Sequence, residues 1–280
     1  MMNIGYANGK YVQLDEPVIP IDERGHQFGD GVYEVIRVYN GKPFMLEEHL
    51  QRLIQSAKAI KLPIQQSAED FKALILEAVQ KSNELESAVY LQITRGVGIR
   101  QHLFPSAPVS ITMTVRKVQA MDNEAREKGM KAIFHEDERW ANCYIKSLNL
   151  LPNILAKQIA HDAGCYEAIL VRDGYITEGT SSNVYMVKDG VVYTTPLSKQ
   201  ILSGITRMAV KKVTESLGGS FIEKKFTPEE LLQADEVFIT STTSEILPIV
   251  NVDGQSIGKG IAGEWTMKAY RKFKEFILAD

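Results

Sequence analysis

The run Gly31-Val32-Tyr33-Glu34-Val35-Ile36-Arg37-Val38-Tyr39 is rich in β-branched and aromatic residues and ends in Asn40-Gly41. Such a run favours a pleated strand, and an Asn-Gly pair suits the left-handed backbone of a tight turn. Helical spacing then takes over. From Leu46 to Ile60 the residues Leu46, Leu50, Leu53, Ile54 and Ala57 fall on one face, and Phe71, Leu74, Ile75 and Val79 do the same between Ala68 and Gln80. Strand patterns return at Val89 to Thr94 and Val109 to Val115, separated by the glycine-bearing loop Arg95 to Ser106. Helices and strands alternate irregularly with frequent hairpin turns, which predicts a mixed α+β arrangement over a doubly wound parallel sheet.

Polar, charged residues from Lys117 to Lys128 break the pattern and mark a domain boundary, placed after residue 119. Beyond it, strands are expected at Met130 to His135, Tyr166 to Arg172, Val184 to Val187, Val191 to Thr194, Glu236 to Thr240 and Ile246 to Val252. Helices are expected at Asn149 to His161, with Pro152 in the first turn and Gly164 past the end, at Ile205 to Leu217 before Gly218-Gly219, and at Gly263 to Leu278.

With 280 residues the chain can bury a substantial core in one large or two modest domains. A net charge of −3 with no basic run argues against nucleic acid as a partner. No segment reads as a signal peptide or a membrane span. Cys143 and Cys165 are too few for a disulfide framework or a tetrahedral thiolate site. A soluble, reduced, cytoplasmic protein is the expectation.

Ile145-Lys146-Ser147-Leu148-Asn149-Leu150-Leu151 sets one lysine between apolar neighbours ahead of a helical run. Desolvation and the positive end of that helix would both lower its ammonium pKa, which makes a competent Schiff-base nucleophile. Glu178-Gly179-Thr180-Ser181-Ser182-Asn183 sets one carboxylate at the end of a strand-like run, in a turn of glycine and hydroxyls. A lysine that forms a Schiff base and a carboxylate that keeps a pyridine nitrogen protonated are what pyridoxal 5'-phosphate (PLP) chemistry needs. Taken singly, a lysine is most often solvated and a turn carboxylate is common.

A phosphate cup is suggested by Ser203-Gly204-Ile205-Thr206-Arg207, which opens a helix whose first amides have no internal partner. Plain capping by Ser203 is the alternative. Ser241-Thr242-Thr243-Ser244 offers more donors, or is a serine/threonine turn. In the loop Gly96 to Pro105, an extended backbone would put Arg100 and His102 on one side as a carboxylate receptor; otherwise they are solvated. His49 and Arg52 share a helix face, and Arg52 either turns inward to a phosphate or faces water. Other motifs fail: Gly96-Val97-Gly98 lacks the third glycine of a dinucleotide loop, Gly254 to Lys259 is not a P-loop, His135-Glu136-Asp137-Glu138 lacks zincin spacing, and Ser181-Ser182 lacks a nucleophile elbow. No metal site is expected.

The stretch Arg24-Gly25-His26-Gln27-Phe28-Gly29-Asp30-Gly31-Val32-Tyr33-Glu34-Val35 now joins Ile145 to Leu151, Glu178 to Asn183, Gly204 to Arg207 and Ser241 to Glu245. In this order and spacing they resemble the fold-type IV PLP enzymes, the class IV aminotransferases, over nearly the whole chain, and most of all their D-amino-acid branch. The resemblance implies a two-domain α+β fold, with a small N-terminal α/β domain (1–119) and a larger C-terminal mixed α/β domain (120–280) that binds PLP. It implies that Lys146 carries PLP as a Schiff base and moves the proton at the substrate Cα, and that Glu178 pairs with the pyridine nitrogen. Arg52, Ser181, Ser182, Gly204, Ile205, Thr206, Ser241 and Thr242 would help to hold the cofactor, Ile205 and Thr206 through backbone amides. Tyr33, Arg100 and His102 would bind the substrate α-carboxylate, the last two reaching in from the neighbouring subunit of a homodimer. The implied activity exchanges an amino group between D-amino acids (D-alanine, D-glutamate) and 2-oxo acids such as 2-oxoglutarate. Branched-chain L-aminotransferases and aminodeoxychorismate lyases share the fold and are the nearer alternatives; a non-catalytic PLP-binding module is the more distant one. One departure is Tyr144, where D-specific relatives usually carry an acidic residue.

Overall fold

A computed structural model describes residues 4–119 and 121–279. The chain divides into two compact units, Met1–Gln119 with Ile145–Asn149, and Ala120–Tyr144 with Leu150–Asp280. The short segment that carries Lys146 therefore belongs to the first unit, although it lies well beyond residue 119 in sequence.

The first unit contains β1 (Ile4–Ala7), β2 (Lys10–Val12), α1 (Arg24–Phe28), β3 (Gly31–Tyr39), β4 (Lys42–Pro43), α2 (Leu46–Ala59), α3 (Ala68–Ser82), β5 (Ser87–Thr94) and β6 (Ser110–Lys117). Its sheet runs in the order β2-β1-β6-β5-β3-β4, antiparallel throughout. Asn40 (φ 48°) and Gly41 (φ 79°) both take the left-handed backbone and join β3 to β4 in a two-residue hairpin. α3 starts with a reciprocal cap between Ser67 and Asp70. Val32, Ile36 and Val38 of β3 pack with Leu50 and Leu53 of α2 and with Phe71 and Ile75 of α3. Each such side chain contributes roughly 1.5–3 kcal/mol by leaving water. The same β3 alternation places Glu34 among them, fully buried.

The second unit contains α4 (Asn123–Lys128), β7 (Met130–Glu136), α5 (Leu151–Asp162), β8 (Glu167–Arg172), β9 (Tyr175–Gly179), β10 (Asn183–Lys188), β11 (Val191–Thr194), α6 (Ile205–Ser216), β12 (Ser220–Glu223), α7 (Pro228–Leu232), β13 (Glu236–Ser241), β14 (Glu245–Val252), β15 (Gln255–Ser256) and α8 (Glu264–Ala279). The sheet order is β12-β11-β10-β13-β14-β7-β8-β9, with β15 beside β14. β7 pairs in parallel with both β8 and β14, and β11 pairs in parallel with β12. Its core gathers Ala132, Ile169, Val184, Val237, Ile239, Leu247 and Ile249 from several strands.

Two local expectations change. The charged stretch after Lys117 includes the helix α4, whose Arg126 is buried, donates to the Ser244 carbonyl at 3.0 Å and lies 4.1 Å from the Tyr270 ring. So short a helix carries too little periodicity to read. The helix expected from Asn149 begins at Leu151 instead, because the Asn149 side chain is engaged with the Gly29 carbonyl (3.3 Å). Among the described residues no helix is long and apolar enough to cross a membrane.

Candidate active site

In the first unit, the segment around Lys146 is bound to the edge of β3. Tyr33 donates its amide to the Lys146 carbonyl (3.1 Å), Leu148 donates to the Gly31 carbonyl (3.1 Å), and Ser147 bridges Val32. The Lys146 amide donates to the Ser56 hydroxyl on α2 (3.1 Å). Only glycine fits at position 31, since a Cβ there would lie 2.6 Å from the Ile93 carbonyl oxygen and 2.8 Å from Leu148 Cδ1. The Lys146 backbone is thus held on both sides, and its Nζ lies 4.4 Å from the centre of the Tyr33 ring. Tyr33 in turn lies against Tyr90, with ring centres 5.6 Å apart.

Arg52 turns inward, as one of the two sequence readings allowed, and it meets a carboxylate. Its Nε and Nη2 donate to the two oxygens of Glu34, each at 2.7 Å, and His49 Nδ1 lies 2.7 Å from the same group. Burial alone would raise the Glu34 pKa; the Arg52 fork and His49 outweigh it and hold the carboxyl at about 2. Burial lowers the pKa of His49. The family resemblance puts Arg52 at a phosphate; Glu34, its partner, carries no motif of its own, although β3 alternation alone puts that residue on the core face.

Arg100 and His102 are exposed on the loop after β5. Both contact one ring, Phe28: the Arg100 guanidinium carbon lies over it, 4.9 Å from its centre, and the His102 ring meets it edge-on with centres 5.9 Å apart.

In the second unit, Glu178 is the penultimate residue of β9 and is buried rather than exposed in a turn. One of its oxygens accepts from Arg139 Nη1; the other accepts from Asn183 Nδ2 (3.1 Å) and the Leu202 amide (3.1 Å). Burial pushes its pKa up, and Arg139 opposes that push. Arg139 is itself fixed by Asp137, through Nε to Oδ1 and Nη2 to Oδ2, each at 2.8 Å, while Thr177 donates to Asp137 at 2.8 Å. Arg139 and Asp137 went unrecognised in sequence because the charged run His135 to Arg139 offers no spacing that singles them out.

The helix α6 begins at Gly204, its N-cap, with no side-chain cap. Capping by Ser203 is therefore not how this helix starts. The amides of Ile205 and Thr206 are left without helical partners, and Thr206 is buried. The Asn183 side chain also donates to the Leu202 carbonyl (3.0 Å), so one amide group links Glu178 to the loop that leads into α6. A Cβ on Gly204 would collide with Asn183 Oδ1. Ser182 is buried and donates to Glu167 (2.8 Å), whereas Ser181 is exposed. The Ser241 hydroxyl accepts from the Ser244 amide (3.0 Å), closing a serine/threonine turn with Thr242 half-buried inside it. Among the described residues no group of three or more His, Cys, Asp or Glu side chains is placed to hold a metal ion.

Taken by itself, each unit carries groups with recognisable chemistry, for an anion and a ring nitrogen in the second and for an aldehyde in the first. The uncapped start of α6 suits the anion, the buried Glu178 suits a ring nitrogen that carries a proton, and Lys146 suits an aldehyde.

The profile of the family described as "Amino-transferase class IV" matches residues 31–252. A D-alanine aminotransferase from Bacillus licheniformis is 44% identical over 274 residues, which is 98% of this chain and 96% of the relative. One from Staphylococcus epidermidis is 41% identical over 273 residues, covering 97% of both chains. Among solved structures, a T.th. branched-chain amino acid aminotransferase with pyridoxamine 5'-phosphate superposes with a TM-score of 0.93 at 28% identity, covering 100% of this chain and 95% of the other. The Escherichia coli branched-chain enzyme superposes with a TM-score of 0.90 at 28% identity, covering 99% and 95%.

Proposed function

The chain belongs to the class IV aminotransferases, and from that premise we propose that it is a PLP-dependent transaminase that moves an amino group between D-amino acids and 2-oxo acids. D-alanine and D-glutamate are the donors, and 2-oxoglutarate is an acceptor. The observation that carries this reading is the end-to-end likeness to D-alanine aminotransferases, at 44% identity over 98% of the chain. The branched-chain L-enzymes share the fold at 28% identity, which speaks for architecture more than for donor.

When bound, PLP supplies a carbonyl for Schiff-base formation and a protonated ring that accepts the electrons left when Cα loses its proton. Lys146 Nζ holds the cofactor and then carries the proton at Cα. Its backbone, clamped by Tyr33 and Ser56, fixes where that amine starts from. Glu178 keeps a proton on the ring nitrogen, and its buried setting favours sharing one. The first amides of α6 at Ile205 and Thr206, with Gly204, Thr242 and Arg52, hold the phosphate; Ser181, Ser182 and Ser241 support the same cofactor by shaping its turns. Arg52 serves the phosphate while gripped by Glu34. Tyr33, Arg100 and His102 grip the α-carboxylate. That grip decides which Cα hydrogen faces Lys146, and hence the D-preference.

The active form is a homodimer in which Arg100 and His102 serve the neighbouring subunit. Their exposure in the single chain supports this, as does the exposed apolar stripe Leu151, Ile154, Leu155 and Ile159 on α5. Two free cysteines suit a reducing cytoplasm.

The deciding experiment records the visible absorbance of the PLP-loaded protein before and after adding D-alanine, and separately L-leucine. Loss of the band with D-alanine alone, with pyruvate formed, is the expected result. Loss with L-leucine alone transfers the chain to the branched-chain branch. Bound cofactor that responds to neither amino acid points to a non-catalytic module.

A further inference from the structure

The loop from Gly96 to Pro105 carries Arg100 and His102, the exposed pair of the carboxylate grip, and has no regular secondary structure. Ordering such a loop costs backbone entropy at every residue, so a fixed clamp needs dedicated support. The first unit supplies it from one short region, residues 22–30. The Arg24 amide donates to the Gly96 carbonyl (2.9 Å), and the Gly98 amide donates to the Asp22 carbonyl (3.1 Å). These bonds tie down the start of the loop.

The tip is held by side chains. Asp30 Oδ2 accepts from Arg24 Nε and Arg95 Nε, both at 2.8 Å, and Oδ1 accepts from Arg95 Nη2 at 3.0 Å. Both arginines are buried, at 3% and 2% exposure, and Arg95 is anchored further by the carbonyls of Ile60 and Lys61. Arg24 therefore cannot swing, and its Nη1 donates to the Gln101 carbonyl at 2.6 Å. Gln101 is the residue between Arg100 and His102. Both neighbours then fall on Phe28, whose ring also receives the Arg24 guanidinium at 4.7 Å. A chain that merely needed to close this loop could leave Arg100 and His102 in water. Here one buried arginine fixes the peptide between them and one aromatic ring receives both.

We propose that Arg24, locked by the Asp30–Arg95 ion network, and the ring of Phe28 form a frame that pre-sets Arg100 and His102 for the substrate α-carboxylate, making Arg24 and Phe28 positioning residues for substrate affinity. This rests on the carboxylate-grip reading of Arg100 and His102. The frame's bonds and ring contacts given above are separate from those that hold the Lys146 backbone, so it acts on binding of every α-carboxylate substrate and leaves cofactor binding alone.

The test is steady-state kinetics of the holoenzyme with D-alanine and 2-oxoglutarate, alongside PLP titration of the apoenzyme. Phe28→Leu should raise KM for both substrates about three- to fivefold, the size of a lost cation–π contact. Arg24→Lys keeps the charge beside Asp30 but loses the fork that reaches Gln101, and should raise KM about tenfold. In both, kcat and PLP affinity should stay within about twofold of the parent. In an Arg100→Ala, His102→Ala background, where neither member of the grip is left to position, Phe28→Leu should add nothing further to KM. If Arg100→Ala raises KM while Phe28→Leu and Arg24→Lys leave it unchanged in folded protein, the frame is refuted and the grip stands. If Arg100→Ala itself leaves KM unchanged, the grip fails and the frame's role falls with it. Should Arg24→Lys lose its fold, Phe28→Leu, at a half-buried site, still decides.

Discussion

Arg139 donates through Nη1 to the Glu178 carboxylate while its other two side-chain nitrogens are held by the two oxygens of Asp137. The guanidinium is a rigid fork, so Asp137 sets where the charge beside Glu178 lies. Removing Arg139 leaves the buried carboxyls of Glu178 and Asp137 without their shared cation. Arg139→Met should therefore cost on the order of 3–5 kcal/mol of stability, the range for breaking a buried ion pair. Thermal or urea unfolding of the apoprotein reads this directly. A variant as stable as the parent would show that Asn183 and Leu202 suffice to hold Glu178.

The Glu34 carboxyl gives a pH dependence with a definite sign. Its pKa is held at about 2 in the fold against an ordinary value near 4.5, so it adds stability at pH above about 4.5 and loses it as pH falls toward 2. The difference amounts to about 3 kcal/mol. His49 acts in the same direction. Its folded pKa lies below its ordinary one, so acidification through the ordinary histidine range also favours unfolding. Glu34→Gln should flatten the acid limb of a stability-against-pH curve between about pH 5 and 2. A limb of unchanged steepness would assign acid unfolding to other carboxyls, such as Asp30 and Asp137.

The sequence made legible what depends on local pattern. β3, its Asn40-Gly41 turn, α2 and α3 follow from alternation, turn chemistry and a 3.6-residue period, and each forms within a residue or two of its expected bounds. Local placement was legible where motif and position coincide: Glu178 lies at the end of a strand and Gly204 at the start of a helix, as their flanking residues indicate. What stayed hidden depends on partners distant in sequence. Nothing near Arg52 announces Glu34, a full strand and turn earlier, and nothing near Glu178 announces Arg139, which lies on the far side of α5 in the chain. The grouping of Ile145–Asn149 with the first unit was hidden for the same reason, since the strand it joins lies far upstream.

Gly31 tests how tightly the lysine segment depends on its neighbour. A methyl group at position 31 meets the Ile93 carbonyl oxygen at 2.6 Å and Leu148 Cδ1 at 2.8 Å, and the Ile93 backbone sits inside the sheet and cannot move aside cheaply. Gly31→Ala should push the Leu148 side of the segment away and cost about 1–3 kcal/mol, as overpacking does. It should also displace Lys146, so the PLP-loaded variant should show a shifted or weakened visible band. Loss of stability with an unaltered band would separate the packing of Leu148 from the placement of Lys146.

Asn183 offers the last test, because one side-chain amide serves both Glu178 and the loop before α6. Asn183→Asp replaces the donor with a second acceptor, which cannot bond either the Glu178 carboxylate or the Leu202 carbonyl. Two buried carboxyls would then compete for one proton, raising the pKa of the pair. The expected result is PLP binding weakened by about tenfold or more, partly restored below the raised pKa, where the introduced carboxyl is protonated and can donate again. Asn183→Ala, which removes the link without adding charge, should weaken PLP at every pH alike. Matching pH profiles for the two variants would rule out the charge argument and leave only the lost bridge between Glu178 and the α6 cup.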